Sequence, residues 1–532
     1  ATHAALCARR AWRGAVDGAA HRARAILAPL MTTTATTATT ATARPRSATE
    51  LTAMMLGRPF LTSATRTTRA PITASASRAA PREHASFSSS SVASYGAKVV
   101  DPDTEPVRDH DLQIAHTRTH VTKKLWRERL RKAESGKGAT KLSEKLLPKT
   151  PQTSTAVYDF QKDEEMREMY KSHGTDAVRM GRILEDLDSL AGNIAFFHAD
   201  DGDDLTKTPQ LVTASVDRVR LNRPLSLERS VVIRGEVAFV GRSSMVIRME
   251  ADEEQGTRDD ELIGSNIPAL TADFTFVARD PETNESWPVN PLICETRAQT
   301  ARFEDIQASI VRKRLRHKKG DGVLNDELIA HRKKWVHDIR ERARLNQEMP
   351  ALTAGFQEVL TSQTVAENMF VAQPQQRNLS GRVFGGFLLR RAYELAFANC
   401  QLFSGGHPVF VEMSDIDFKL PVNIGDLIRF KCKVLHTVNT EEARCGKPSV
   451  YLEVRAIVTN PHKVTSAEAN TFMFKFNVTG FENDNGEIED VRLKRVLPTS
   501  TEEGLLIWDK CIRQRLCDDA DFDKRNGLGN FV

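Results

Sequence analysis

The strongest constraint in this sequence is a pattern that occurs twice, in which one helix is followed by several strand-like segments. The first copy lies between residues 175 and 280, and the second lies between 378 and 480. The copies keep register, because Pro224 corresponds to Pro421 and Gly241 corresponds to Gly446. Such self-similarity predicts a tandem duplication of one folding unit.

Each copy opens with a helix whose apolar residues recur at the helical period. The stripe runs from Ile183 to Ala195 in the first copy and from Leu388 to Cys400 in the second, which predicts one buried face per helix. Segments such as 231–241 and 469–478 have the composition of strands. The sequence therefore predicts an α+β fold in which each long helix is wrapped by an antiparallel sheet.

The charge of the chain is unevenly distributed. The chain carries +5 overall, but residues 1–100 hold twelve Arg and one Lys against three acidic residues, so this part is +10 and the remainder is −5. A segment that is rich in Arg, Ser, Thr and Ala and poor in acids is typical of a transit peptide. We therefore expect import into mitochondria, with an extended or mis-assigned start over residues 1–53 as the alternative.

Several chemistries are disfavoured by missing motifs. The seven cysteines form no CxxC pair, which argues against a disulfide scaffold and a structural zinc site. The sequence has no GxSxG nucleophile elbow, no Walker A or GxGxxG loop and no DxNPxH hydratase signature. No run approaches the ~18 consecutive apolar residues of a membrane helix, so we expect no transmembrane segment.

The segments NLSGRVFGGFLLRRAYELAFANC and SDIDFKLPVNIGD, together with GRILEDLDSLAG, VTASVDRVRLNRP and VGRSSM, resemble the tandem hotdog acyl-coenzyme A thioesterases. A mitochondrial member of that family is the nearest likeness. The resemblance covers roughly residues 175–500 and implies two hotdog units that pair as an intrachain pseudo-dimer. It also implies an acyl-CoA substrate, hydrolysis to free fatty acid and CoA without a cofactor or metal, and assembly into homotrimers.

These inferences give a domain plan and a second functional hypothesis. The plan assigns a transit peptide and leader to 1–100, a charged linker to 101–155, hotdog units to 156–290 and 363–485, a charged helical connector to 291–362, and a C-terminal helix and tail to 486–532. The alternative function is a catalytically silent acyl-CoA binding or sensing protein. The basic run 312–319 also resembles a nucleic-acid patch, but acidic neighbours favour a solvated helix pair, and we expect no nucleic-acid partner.

Thioester hydrolysis requires donors for the carbonyl oxygen and a base for water. The helix that opens at Gly385 and Gly386 offers free backbone N–H groups, and its glycines permit close approach of a thioester. Asp188 lies at the edge of the first apolar stripe, where a charge is unfavourable unless it has a partner or a task. The resemblance assigns Asp188 as the general base, acting on the loop of the other unit, with a structural aspartate as the alternative.

The two copies differ at these positions. In the second copy, Tyr393 occupies the position equivalent to Asp188. In the first copy, Arg179-Met180-Gly181 occupies the position equivalent to Phe384-Gly385-Gly386. One working site, with the base from the first unit and the glycines from the second, is therefore expected. Asn378 is predicted either to orient water or to form an Asx-type turn, and Arg382 either to bind a phosphate or to pair with Asp188.

Coenzyme A carries phosphates, for which basic and hydroxyl groups near strand ends are suitable contacts. The candidates are Arg242, Ser243 and Ser244 in the first copy and Lys447 in the second. An equally good interpretation is that these four residues are exposed strand residues with no functional role.

Overall fold

The computed structural model describes residues 119–135, 141–172, 177–254, 267–319, 326–378, 380–414, 416–443, 446–481 and 491–513. The predicted transit peptide lies outside the described residues. None of the helices in this described part is long and apolar enough to cross a bilayer.

The first unit is a five-stranded antiparallel sheet that surrounds one long helix. Strict alternation of buried and part-exposed residues along its last strand shows that one face of the sheet packs on the helix and the other faces outward. The strands pair in the order β1-β3-β4-β5-β2. The elements in chain order are α1 (His120–Ser135), β1 (Ser154–Tyr158), α2 (Glu164–Tyr170), α3 (Met180–Ala199), β2 (Gln210–Leu221), β3 (Val231–Val240), β4 (Ser244–Glu253) and β5 (Leu270–Arg279).

Helix α3 is buried nearly all round rather than along one stripe. The predicted apolar positions from Ile183 to Ala195 are buried, but so are the polar residues Glu185, Asp186, Asp188 and Asn193. The sequence predicts burial of one face of α3, but in the structure two other helices also cover this polar face. The difference matters because a buried polar side chain needs hydrogen-bond partners.

A pair of charged helices lies between the two units in the chain. The first packs through Phe303 and Ile306 on Phe239 of β3, and the second buries Val336 and Ile339. Both helices therefore lie along the body of the protein with one face covered. The elements are α4 (Arg297–Lys319), α5 (Asp326–Glu348), the short α6 (Pro350–Thr353) and β6 (Glu358–Leu360).

The second unit repeats the first in the same topology. Its main strands pair in the order β7-β10-β11-β12-β8, and its long helix again lies between the first and second strands. The elements are β7 (Ala366–Val371), α7 (Gly385–Ser404), β8 (His407–Met413), β9 (Ile416–Asp417), β10 (Leu427–Val438), β11 (Ser449–Asn460) and β12 (Thr465–Thr479), followed by β13 (Arg495–Leu497) and α8 (Thr501–Ile507). The opening strands β1 and β7 escaped the sequence pattern, which placed a helix first in each copy.

The two sheets join edge to edge into one. Strand β2 pairs antiparallel with β8, where Val219 lies opposite Met413, and β9 adds a short pairing to β2. The helices α3 and α7 consequently lie side by side under a single sheet. This arrangement brings the N-terminus of α7 against the middle of α3, where the candidate site lies.

Candidate active site

The contact between the two units is closest at the start of α7. A Cβ atom on Gly386 would lie only 2.8 Å from the backbone oxygen of Glu185, so the two helices meet at this distance only because residue 386 is glycine. Phe384 precedes the helix without a side-chain cap, which leaves the first N–H groups of α7 to other partners.

Asp188 is one of those partners. Its Oδ2 accepts a hydrogen bond of 2.7 Å from the backbone N–H of Gly386, and its Oδ1 accepts one of 3.1 Å from the hydroxyl of Thr213 on β2. The carboxylate is thus held by both units, with a helix N-terminus favouring its negative charge. The structure brings Asp188 together with Gly385 and Gly386, the residues that the sequence predicts as its partners.

Burial raises the pKa of Asp188 to about 6, although the hydrogen bonds from Thr213 and Gly386 and the charge of Arg129 each act to lower it. The residue is only 3% exposed. A carboxylate with such a pKa is ionised at neutral pH and is basic enough to take a proton, which is the property that general-base catalysis needs.

A cavity of about 690 Å³ opens over Asp188 between the two units. Its lining includes aromatic and aliphatic side chains, among them Phe196, Phe276 and Leu388, so part of the wall is apolar. Among the described lining residues, Asp188 is the single acid, against Arg129, Arg279, Arg382 and Lys419. The cavity therefore combines an apolar wall with positive charge around one carboxylate.

The predicted loop residues lie in this wall. Asn378, Arg382 and Gly385 all line the cavity. The Oδ1 atom of Asn378 accepts hydrogen bonds from the N–H groups of Ser380 and Arg382, at 3.0 and 3.1 Å, and thereby shapes the loop as an Asx-type turn. Its NH₂ group is the part of the side chain left to contact a ligand.

The other predicted contacts lie elsewhere. Arg242 and Ser243 belong to the turn between β3 and β4, Ser244 is the first residue of β4, and Lys447 lies in the corresponding turn before β11. None of these four residues is among those that line the cavity. Their assignment to CoA stays a prediction, to which the geometry of the described cavity adds no support.

The position equivalent to Asp188 in the second unit carries no carboxylate. Tyr393 occupies the ninth position of α7 as Asp188 does in α3, and its ring lies 3.2 Å from where a Cβ atom of Gly181 would be. Tyr393 packs among Phe397, Phe410 and Phe474. This half holds an aromatic cluster where the first half has a buried carboxylate.

Two residues of the site escaped the sequence analysis. Thr213 lies beside a β-bulge of β2, in a run that has no mark beyond its strand composition. Arg129 comes from α1, in the segment predicted as a charged linker, and its side chain reaches the backbone of α3.

A thioesterase superfamily model matches residues 180–259. The chain is 39% identical over 399 residues to "Acyl-coenzyme A thioesterase 2, chloroplastic" of Humulus lupulus, covering 73% of this chain and 87% of that relative. It is 36% identical to "Acyl-coenzyme A thioesterase 4, mitochondrial" of the same plant, covering 69% and 67%. This chain belongs to the acyl-coenzyme A thioesterase family.

Two further similarities concern a human relative and a solved structure. "Acyl-coenzyme A thioesterase 9, mitochondrial" of Homo sapiens is 32% identical, covering 58% of this chain and 68% of that relative. An acyl-CoA hydrolase from Staphylococcus aureus in complex with butyryl coenzyme A has 16% identity and a TM-score of 0.26, covering 32% of this chain and 98% of that one. The predicted likeness to the mitochondrial form numbered nine holds only loosely, since both relatives from Humulus lupulus share more identity with this chain.

The family accounts for the architecture of this thioesterase. Two long helices lie under one continuous antiparallel sheet, and the two units repeat the same strand order. The predicted α+β fold of two tandem hotdog units in one chain is confirmed.

Proposed function

We propose that this thioesterase hydrolyses fatty acyl-CoA to free fatty acid and CoA at the cavity between its two units. The observation that carries the proposal is the hydrogen bond between Gly386, at the N-terminus of α7, and the carboxylate of Asp188. A base and a group of backbone donors are thereby adjacent, which is what attack of water on a thioester carbonyl needs.

In this mechanism Asp188 takes a proton from water as the water oxygen attacks the carbonyl carbon. The N–H groups at the start of α7 other than that of Gly386, which is bonded to Asp188, stabilise the negative charge that develops on the carbonyl oxygen. The C–S bond then breaks, and the CoA sulfur receives the proton from Asp188. Asn378 orients the water through its NH₂ group, and Thr213 keeps the carboxylate in place.

The cavity lining supports a substrate with an apolar chain and an anionic head. Phe196, Phe276 and Leu388 offer the apolar part of the wall, and Arg279 and Arg382 offer cations for the phosphates of CoA. Because Tyr393 replaces the base in the other half, one active site per chain is the consistent proposal.

The test is thiol release from acyl-CoAs of two to eighteen carbons, with the full chain and its Asp188→Asn variant compared. We expect turnover in the wild type and a loss of about 10²–10⁴ in kcat in the variant. Binding of a non-hydrolysable acyl-CoA analogue is measured in both. Tight analogue binding without turnover on any chain length would favour the silent sensing protein instead.

We also propose that the leader directs the chain to the mitochondrial matrix. Its net charge of +10 and Ser/Thr/Ala-rich composition support import. The relatives named above include mitochondrial and chloroplastic proteins. A fluorescent reporter that carries residues 1–118 and remains in the cytosol or enters plastids would contradict this proposal.

The family resemblance further supports a homotrimer of the two-unit chain. Light scattering coupled to gel filtration tests this assembly. A mass three times that of the chain is expected, and a monomer at micromolar concentration would contradict the proposal.

A further inference from the structure

Helix α1 forms one wall of the candidate active site. Trp126 packs edge-on against Phe384, with 5.9 Å between ring centroids, and Phe384 is the residue directly before α7. Arg129 lies one turn further along α1 and lines the cavity together with Trp126 and Leu130. The segment that precedes the first hotdog unit thus contributes side chains to the site between the units.

The guanidinium of Arg129 is fixed against the helix that carries Asp188. Its Nη2 donates to the backbone oxygen of Ser189 at 2.6 Å, and its Nε donates to Oδ1 of Asn193 at 3.0 Å. A Cβ atom on Gly192 would lie 3.1 Å from Nη2, so the absence of a side chain there makes room for the cation. Two directed hydrogen bonds in a fork hold the group in one orientation.

We propose that Arg129 is a positioning residue of the thioesterase reaction, whose fixed charge keeps Asp188 ionised and directed at Gly386 and the thioester. This inference rests on the proposed function, because it assigns Asp188 as the base. A guanidinium is suited to the task, since it remains charged even when partly desolvated.

The charges around Asp188 act in both directions. The charge of Arg129 lowers the pKa of Asp188, whereas Glu185 on the same helix raises it. Glu185 is itself paired with Arg390 of α7 at 2.6 Å. Burial lowers the pKa of Arg129 to about 10, so it stays protonated at neutral pH, and Glu128 acts to raise it. The remaining charged groups that line the cavity are Arg279, Arg382 and Lys419.

The experiment is the pH dependence of kcat/KM for an acyl-CoA, measured with the full chain between pH 5 and 8.5. In Arg129→Gln we expect the acidic limb to move up by about one pH unit, giving about tenfold less activity below the limb and near wild-type activity at pH 8.5. Arg129→Lys keeps the charge and should keep the limb near its wild-type position. Arg127→Gln, an exposed position on the same helix, is the matched control.

A uniform loss of activity in Arg129→Gln with an unmoved limb would overturn the proposal and leave Arg129 a structural role. Glu128→Gln is the second variant, because it retains an acceptor for Asn193 and removes a charge beside Arg129. A downward shift of the limb is expected there, and an upward shift would overturn the proposal even if Arg129→Gln failed to fold. Absence of wild-type turnover would instead contradict the proposed function itself.

Discussion

At the residue scale, the proposed mechanism depends most on Asp188. It is buried, bonded to a hydroxyl of its own unit and to a backbone N–H of the other, and close to a fixed cation. Burial alone would favour the neutral acid, and the three polar partners oppose it. The resulting pKa of about 6 links the activity and the stability of the protein to the same proton.

Activity should therefore fall on the acidic side of neutrality. A base with a pKa of about 6 is mostly ionised at pH 7 and mostly protonated at pH 5. We expect kcat/KM to decline about tenfold per pH unit below the limb. Thiol release in buffers of constant ionic strength measures it. A profile that stays flat down to pH 5 would exclude Asp188 as the base.

The same residue should lower stability at neutral pH. Its pKa is raised in the folded state above the unfolded value near 4, so the folded protein binds more protons between these values, and stability falls as pH rises through them. Asp188→Asn should then gain about 1–3 kcal/mol in the free energy of unfolding at pH 8. Denaturant unfolding at pH 8 and pH 4 measures it, and a gain at pH 4 that equals the gain at pH 8 would contradict this account.

At the scale of elements, the polar face of α3 organises what surrounds it. Asp186 accepts hydrogen bonds from the hydroxyls of Thr119 and Thr122 at the start of α1, from Tyr158 of β1 and from Tyr170 of α2. One buried carboxylate therefore ties three elements to the central helix. Because the four hydroxyl groups are buried and share this acceptor, its removal would leave the cluster short of a hydrogen-bond partner.

Asp186→Ala should accordingly destabilise the protein by about 3 kcal/mol or more, because it leaves several buried hydroxyls without their acceptor. Asp338→Ala, at an exposed position of α5, should change stability by less than about 0.5 kcal/mol. Urea unfolding followed by circular dichroism compares the two. Equal stabilities would show that the hydroxyl cluster contributes little.

The elements also show what periodicity could and could not predict. The apolar stripes of α3 and α7 were sufficient to place both helices and the repeat, because hydrophobic spacing is a local property. The partners of the polar face of α3 could not be predicted, since Thr119, Arg129 and Arg390 lie at least 60 residues away in sequence. Thr213 and Arg129 were missed for the same reason. Tertiary partners of polar residues are not encoded in local spacing.

At the scale of the whole molecule, α1 limits where the leader can be removed. Thr119 bonds to Asp186, and Trp126 and Arg129 reach the site between the units. A processed protein that retains this site must therefore begin before residue 119. N-terminal sequencing of the imported protein should give a first residue below 119, and a mature form that begins beyond α1 and remains active would contradict this role of the helix.

Equivalent positions in the two units carry opposite charges, and these charges pair where α3 contacts α7. Glu185 is the sixth residue of α3 and Arg390 the sixth of α7, and they pair at 2.6 Å with Glu185 almost fully buried. Reversing either charge alone should destabilise the protein by about 3–5 kcal/mol, because two like charges would be buried together. The double variant Glu185→Arg/Arg390→Glu restores the pair and should recover most of that loss in urea unfolding. A double variant no more stable than the sum of the single changes would show that the pair does not hold the units together.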